Sequence, residues 1–174
     1  CSRRRFRLEL LEIGFAAQSV FRTLDRVHKG DLPFDRTIQV SVSDRLEKHQ
    51  INGRLPHNLR TLEALLERNR ADFRLAASRA ASPQCRRKAW QRLVARRRRA
   101  ARLIEELGLR MEHFEALFSR VERVAARVQQ LSNRGVREEN GSARERLRWR
   151  REQRRLAQLT QHTPGGLQRR LGSL

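Results

Sequence analysis

Arginine is the residue type whose number and spacing point most directly to chemistry in this chain. Arg outnumbers Lys 37 to 3, and the formal net charge is +21. The run 83–107 holds nine basic and two acidic residues, a net charge of +7, and the run 142–174 repeats that count. Clustered guanidinium groups attract phosphate and release its counterions. The candidate DNA-phosphate contacts are Arg3, Arg4, Arg5, Arg96, Arg97, Arg98, Arg99 and Arg102.

The arginine excess also has a second explanation. A GC-rich genome favours Arg over Lys on any solvated surface, without selection for a ligand. Base-specific reading is disfavoured because no groove-binding motif is present. Trp90 and Trp149 stand singly among basic residues, so stacking on single strands has little support. We expect Trp90 to anchor the core instead.

The other reactive side chains form no catalytic or metal-binding pattern. None of the five His has a Cys or His partner three or four residues away, as a metal site requires. Cys1 and Cys85 offer no disulfide framework, which is consistent with a reducing cytoplasm. The pairs 105–106 and 138–139 are adjacent glutamates, and adjacent helical residues point in different directions. We expect no enzyme, no metal, no cofactor and no small-molecule substrate.

Composition predicts an all-α protein. Hydrophobic residues make up 38% and charged residues 34% of the 174 positions, a balance typical of helices with narrow apolar seams and broad charged faces. We expect long antiparallel helices with heptad seams, forming an elongated bundle or hairpin, and one short extended segment. The longest uncharged stretch near the start, 13–21, is far shorter than the about 18 apolar residues of a membrane span. We expect no membrane partner and a cytoplasmic location.

A heptad seam predicts one long first helix over 3–28. Its apolar positions recur every seven residues from Phe6 to Val27, with a second set between them. Gly14 is the weak point of its interior, and Gly30 follows its end. We expect this helix to pack lengthwise against a partner.

A connector and a second helix follow. Residues 35–43 are predicted to be extended and to lie on helices, since a lone strand has no pairing partner here. Gly53 and Pro56 break the connector. A helix is then predicted over 57–79, with leucines along one face.

The next helix has clear boundaries. Ser82 is a cap, Pro83 suits a first helical position, and Gly108 is a natural stop. Arg97 falls within the apolar stripe of this helix, where it either snorkels to the edge or pairs with an acid from another helix. Beyond Gly108, a second heptad seam runs from Phe114 to Leu131. The two helices are predicted to form an antiparallel hairpin.

Three units are expected along the chain. Residues 1–131 form a helical region, 132–141 a polar linker, and 142–174 a basic helix with a flexible tail. Ser142 and Glu145 form a capping-box signature for that helix. Its apolar face is thin, so the tail beyond it is predicted to be mobile.

Six motifs occur in a definite order along the chain. They are KGDLPFDRTIQVSV (29–42), LPHNLRTLE (55–63), NRADFR (69–74), RRKAWQRLV (86–94), RRRR (96–99) and ARLIEELGLR (101–110). Together they resemble the insert between region 1.2 and region 2 of primary, or housekeeping, bacterial sigma factors of the sigma-70 family. Residues 2–7 resemble the last turns of region 1.2. Residues 159–171 resemble the lead-in to region 2, with Gly165 and Gly166 where an acidic-small pair is expected.

The resemblance implies a segment of a sigma factor that takes part in promoter-dependent transcription initiation. Core RNA polymerase is its implied partner, with promoter DNA bound through the full-length factor. Region 2 and a helix-turn-helix are not in the sequence, and the chain opens at Cys1 without Met, so we expect a piece of a longer factor. The alternatives are a stand-alone basic helical interaction protein and a nonspecific nucleic-acid-binding protein.

Overall fold

The all-α prediction is confirmed. A computed structural model describes residues 3–39, 45–137 and 142–174, with backbone alone at 45–47 and 134–137. These ranges contain eight helices and no sheet. The helices are α1 (Arg3–Leu11), α2 (Gly14–His28), α3 (Phe34–Thr37), α4 (Arg45–Ala77), α5 (Pro83–Glu106), α6 (Met111–Arg137), α7 (Ala143–Thr160) and α8 (Pro164–Gly172). None of the described helices combines the length and apolarity that a bilayer crossing requires.

The predicted single helix over 3–28 is wrong, because the chain breaks between α1 and α2. Ile13 is extended, with φ −78° and ψ 122°, and its side chain is fully buried. A Cβ on Gly14 would lie 2.6 Å from the side-chain Cδ of Gln161. The residue expected to be a weak point inside a helix is therefore the place where the end of α7 approaches the backbone closely.

The predicted seams nevertheless lie in the core. The α2 seam residues Ala17, Val20, Leu24 and Val27 are buried, and α6 places its own seam against the same cluster. The buried seam members on α6 are Phe114, Leu117, Val121, Val128 and Leu131. Each helix therefore buries one apolar stripe and leaves its charged faces to solvent.

The predicted extended segment is short and has a pairing partner. Residues 34–37 form α3, and Ile38 forms an antiparallel bridge with Leu109. The amide of Gln39 donates to the carbonyl of Gly108 at 2.7 Å, and that of Arg110 donates to the carbonyl of Thr37 at 3.0 Å. Residues 40–44 lie outside the described residues. The partner was missed because it lies in the turn between α5 and α6, where the sequence shows no strand pattern.

The predicted break at Gly53 and Pro56 is also wrong. Helix α4 begins at Arg45 and continues through Pro56. Proline inside a helix costs about 3 kcal/mol or more, because it removes a donor and crowds the preceding turn. The fully buried Leu55 and the half-buried Ile51, which both precede Pro56, pack into the core and offset this cost, since a buried Leu contributes about 1.5–3 kcal/mol.

Helices α4 and α5 form the antiparallel hairpin of this fold. The cap of α5 is confirmed, since the Ser82 hydroxyl accepts from the amide of Cys85 at 3.3 Å and Pro83 is the first helical residue. The predicted stop is confirmed as well, because Gly108 has φ +68°. The predicted hairpin of α5 with α6 is wrong: in the described chain α5 packs lengthwise on α4 instead.

The C-terminal region is more ordered than the linker-and-tail prediction. Helix α6 extends to Arg137, into the predicted linker 132–141, and 138–141 lie outside the described residues. The capping box of Ser142 and Glu145 is confirmed. The predicted flexible tail is instead helix α8, whose Leu167 is buried in the main core.

Candidate nucleic-acid interface

Helix α5 carries most of the predicted phosphate contacts, but α4 neutralises part of its charge. Asp72 of α4 accepts from Arg92 through both carboxylate oxygens, at 2.7 and 3.1 Å. It also accepts from Arg96. The Arg96 side chain is only 18% exposed, and its other nitrogen donates to Asn69 at 3.4 Å. Arg96 is therefore a structural ion-pair residue rather than an open phosphate contact.

The electrostatics of Asp72 agree with this role. The hydrogen bond from Arg92, and then that from Arg96, hold the pKa of this carboxyl below its usual range against the opposing effect of burial. A charge-assisted bidentate pair is among the stronger polar contacts in a protein. These bonds join the C-terminal part of α4 to the middle of α5.

Arg97 is removed from the predicted patch by burial. It is 4% exposed and donates to the backbone carbonyl of Gln161, so neither of the two predicted arrangements is present. Its guanidinium carbon lies 5.5 Å from the ring centre of Trp90. Burial, and then the nearby Arg170, lower the pKa of Arg97 to about 10. Trp90 is 41% exposed, so its prediction as a core anchor is wrong.

Arg98, Arg99 and Arg102 remain exposed and lie together. They line an open groove of about 610 Å³ between α4 and α5, opposite Asn58 and Thr61. None of the three has an ion-pair partner in the described chain. These three arginines are the members of the predicted α5 patch that remain free to bind phosphate.

The N-terminal arginines lie at the far end of the same hairpin. Arg4 donates to Glu105 of α5 at 2.9 Å, one turn beyond Arg102, and its side chain stays 72% exposed. Arg5 pairs with Glu9 at 2.7 Å, and Arg3 is exposed. The structure thus brings α1 to the C-terminal end of α5.

Helix α7 presents a set of arginines that the sequence reasoning did not single out. Spaced at i, i+4, i+7 and i+11, they fall on one helical face, and all are exposed. We name this set the α7 stripe: Arg144, Arg148, Arg151 and Arg155. At 1.5 Å rise per residue the stripe is about 16 Å long, which corresponds to about five phosphates of one DNA strand. The helical spacing of these arginines was the signal in the sequence that could have identified them.

The acidic residues of α7 are held elsewhere. Glu145 bonds the amide and hydroxyl of Ser142 at 3.0 and 2.9 Å. The two carboxylate oxygens of Glu152 accept hydrogen bonds from Nε and Nη2 of Arg127 on α6, at 2.8 and 2.9 Å. The Arg127 bond lowers the pKa of Glu152, and the neighbouring stripe residues Arg148 and Arg155 add to that effect. No stripe residue forms an ion pair with either glutamate, and all four arginines remain exposed.

The remaining sequence candidates are dispersed. Glu105 is engaged by Arg4, and at 3.6 Å by Arg7. The other carboxylate pair, 138–139, lies outside the described residues. Across the described ranges no three His, Cys, Asp or Glu side chains lie close enough to hold a metal ion.

Comparisons of the chain with models of protein families, with curated proteins and with solved structures found no match. The functional inference therefore draws on the residues of this chain and on the resemblance of its motifs.

Proposed function

We propose that this chain is a segment of a primary RNA polymerase sigma factor. In this role it is a helical scaffold beside the promoter-reading parts of the factor, without catalytic activity of its own. It contacts core polymerase in the bacterial cytoplasm and adds phosphate contacts to promoter DNA.

The observation that carries this proposal is the packing of the resembling motifs against one another. The motif at 29–42 contributes Ile38, which pairs with Leu109 in the motif at 101–110. The motif at 69–74 contributes Asp72, which binds Arg92 and Arg96 from the motifs at 86–94 and 96–99. Motifs far apart in sequence thus form one unit around the α4–α5 hairpin, as expected if they belong together as a single inherited segment.

The cationic surfaces support the phosphate part of the proposal. The α4–α5 groove and the α7 stripe are exposed, and their three and four arginines form no ion pair in the described chain, although Glu106 also lines the groove. Such surfaces bind the nucleic-acid backbone without reading its bases.

Retention of core polymerase tests the proposal. The purified chain, immobilised and treated with nuclease, is expected to retain bacterial core RNA polymerase at moderate salt. Replacement of Arg98, Arg99 and Arg102 by Gln is expected to leave the polymerase contact in place and to weaken only DNA binding. A folded chain that retains no polymerase would contradict the sigma-segment proposal.

Nonspecific nucleic-acid binding is the second candidate function. It is favoured by the α7 stripe, because this surface lies beyond the motifs that carry the strong resemblance. Under this alternative, DNA and RNA bind equally well with a steep salt dependence, and polymerase has no effect. Binding of duplex DNA measured with and without core polymerase distinguishes the two.

A further inference from the structure

A separate cationic cavity lies where α5 meets α8. It has a volume of about 320 Å³, at the lower end of the about 300–1,000 Å³ range of ligand pockets. Trp90 and Arg97 line it from α5, and His162, Thr163, Arg169 and Arg170 line it from the end of α7 and from α8. It lies apart from the α4–α5 groove and shares none of that groove's lining residues.

Positive charge exceeds negative charge around this cavity. Of its three guanidinium groups, only that of Arg170 has a carboxylate partner, Glu12 at 2.8 Å. Arg169 is exposed and has no hydrogen bond or ion pair to the described chain. Arg97 bonds only a neutral carbonyl. The arrangement leaves Arg97 and Arg169 facing one small space without an ion-pair partner in the described chain, with Glu12 beside Arg170 as the one nearby acid that acts on Arg97.

The first turn of α8 adds to this positive potential. Thr163 caps the helix by accepting from the amide of Gly166 at 3.2 Å. In this first turn Gly165 and Gly166 carry no side chain, and Pro164 contributes only its ring. Helix N-termini carry partial positive charge and are common sites for phosphate.

Arg97 provides independent support for a ligand. Its side chain is more than nine-tenths buried, yet only one of its five N–H donors has an acceptor, and its Nε has none. Buried donors without acceptors are uncommon and costly. The neutral His162 cannot compensate the charge: its Nδ1 bonds the carbonyl of Thr160 at 2.9 Å, and burial beside Arg97 lowers its pKa to about 4. An anion in the cavity supplies both the charge and the acceptors.

We propose that this cavity binds a phosphate group between the guanidinium groups of Arg97, Arg169 and Arg170 and the first turn of α8. A tetrahedral anion offers several acceptor oxygens to guanidinium donors at once. The group can be inorganic phosphate or the phosphate of a nucleotide. Trp90 lies at the rim with much of its ring exposed, so a nucleotide can also stack its base there.

The fluorescence of Trp90 provides the test. In a Trp149→Phe background Trp90 is the only tryptophan, and it is titrated with inorganic phosphate at constant ionic strength maintained with chloride. We expect a saturable change, and a rise in the melting temperature with phosphate but not with chloride. A folded protein that shows neither change overturns the proposal. Tighter binding of adenosine monophosphate than of inorganic phosphate identifies a nucleotide as the ligand, and equal binding identifies the phosphate group alone.

Arg169→Gln is the decisive variant, because this side chain is exposed and its loss leaves the core intact. Removing one charge-assisted bond is expected to weaken phosphate binding about tenfold. The matched control is Arg154→Gln, which removes an exposed charge from α7 and is expected to change nothing. Equal weakening in both variants means general charge attraction and overturns the site. Arg97→Gln, where it folds, is expected to abolish binding.

Discussion

The segments 83–107 and 142–174 carry the same net charge of +7 but use it differently. In the first segment, Arg92 and Arg96 are engaged by Asp72, and Arg97 is buried. In the second, the stripe on α7 is exposed and its two glutamates are held by other groups. Three of the nine basic residues in the first segment are therefore paired or buried, whereas the four stripe residues of the second form no ion pair in the described chain.

The difference teaches that the packing of a helix decides how much of its charge is available. Helix α5 is packed along α4 and also contacts α1 and α2, so several of its faces meet protein. Helix α7 packs on α6, α2 and α4 through a thin stripe, so most of its circumference remains in solvent. A basic helix that packs through a thin stripe is the better phosphate surface.

The largest effect is expected from replacing the α7 stripe. Replacement of all four residues of the α7 stripe by Gln is expected to lower affinity for duplex DNA by on the order of 100- to 1,000-fold at 0.1 M salt, because up to four counterion-releasing contacts are lost. Fluorescence anisotropy across a salt series measures it, and the log–log salt slope should fall by about 3 to 4.

The control for the α7 stripe keeps the net charge equal. Four exposed arginines elsewhere, Arg22, Arg26, Arg60 and Arg68, are changed to Gln together. A loss of DNA affinity as large as that of the stripe variant would mean that net charge alone governs binding.

The next largest effect is expected from removing Asp72, the acid that pairs with Arg92 and Arg96 of α5. Asp72→Ala is expected to destabilise the fold by about 3–4 kcal/mol, because it leaves the largely buried charge of Arg96 without its carboxylate partner. Urea denaturation measures it. The control is Asp35→Ala, which breaks an exposed pair with Lys48 (70% and 46% exposed) and should cost less than about 1 kcal/mol. Similar losses in both variants would show that Asp72 is not an anchor.

His162 of the second segment lines a cavity together with Arg97 of the first segment. It gives a pH-dependent prediction. Its pKa of about 4 in the folded state lies below the unfolded value of about 6.5, so the unfolded state binds more protons between these values. The stability contributed by the neutral ring is present above about pH 6.5 and is lost as the pH falls toward 4, by about 3 kcal/mol in all.

Denaturation at several pH values checks this prediction. His162→Asn is expected to reduce the loss of stability between pH 6.5 and 4, whereas His57→Gln, at an exposed position, should leave it unchanged. Parallel curves for wild type and His162→Asn would contradict the assignment.

The smallest expected effect concerns the docking of α7 on α2. Gly14→Ala places a Cβ 2.6 Å from the buried Gln161 side chain, and we expect a loss of about 2 kcal/mol. Gln161→Ala is the partner of a double-mutant cycle, in which the second change should relieve most of the cost of the first. Additive losses would show that the two residues do not meet.

Much of the secondary structure followed from the sequence, because local signals are sufficient for it. Ser82 and Pro83 at a helix start, Gly108 at a stop, and the seams of α2 and α6 depend on capping, backbone conformation and periodicity within a few turns. The break before Gly14 and the continuous helix through Pro56 did not follow. In both places a distant side chain or core packing outweighed the local preference.

By itself the sequence determined the helical class, the strong positive charge and the motifs that resemble a sigma-factor insert. Only the tertiary structure decided which arginines are free. Arg96 pairs with an acid 24 residues away, and the buried Arg97 donates to a carbonyl 64 residues away. The α7 stripe has no ion-pair partner among the residues that the structure describes. Ion pairing and burial depend on which helices come together, and that is set by the sum of many apolar contacts rather than by the spacing of charges along one helix.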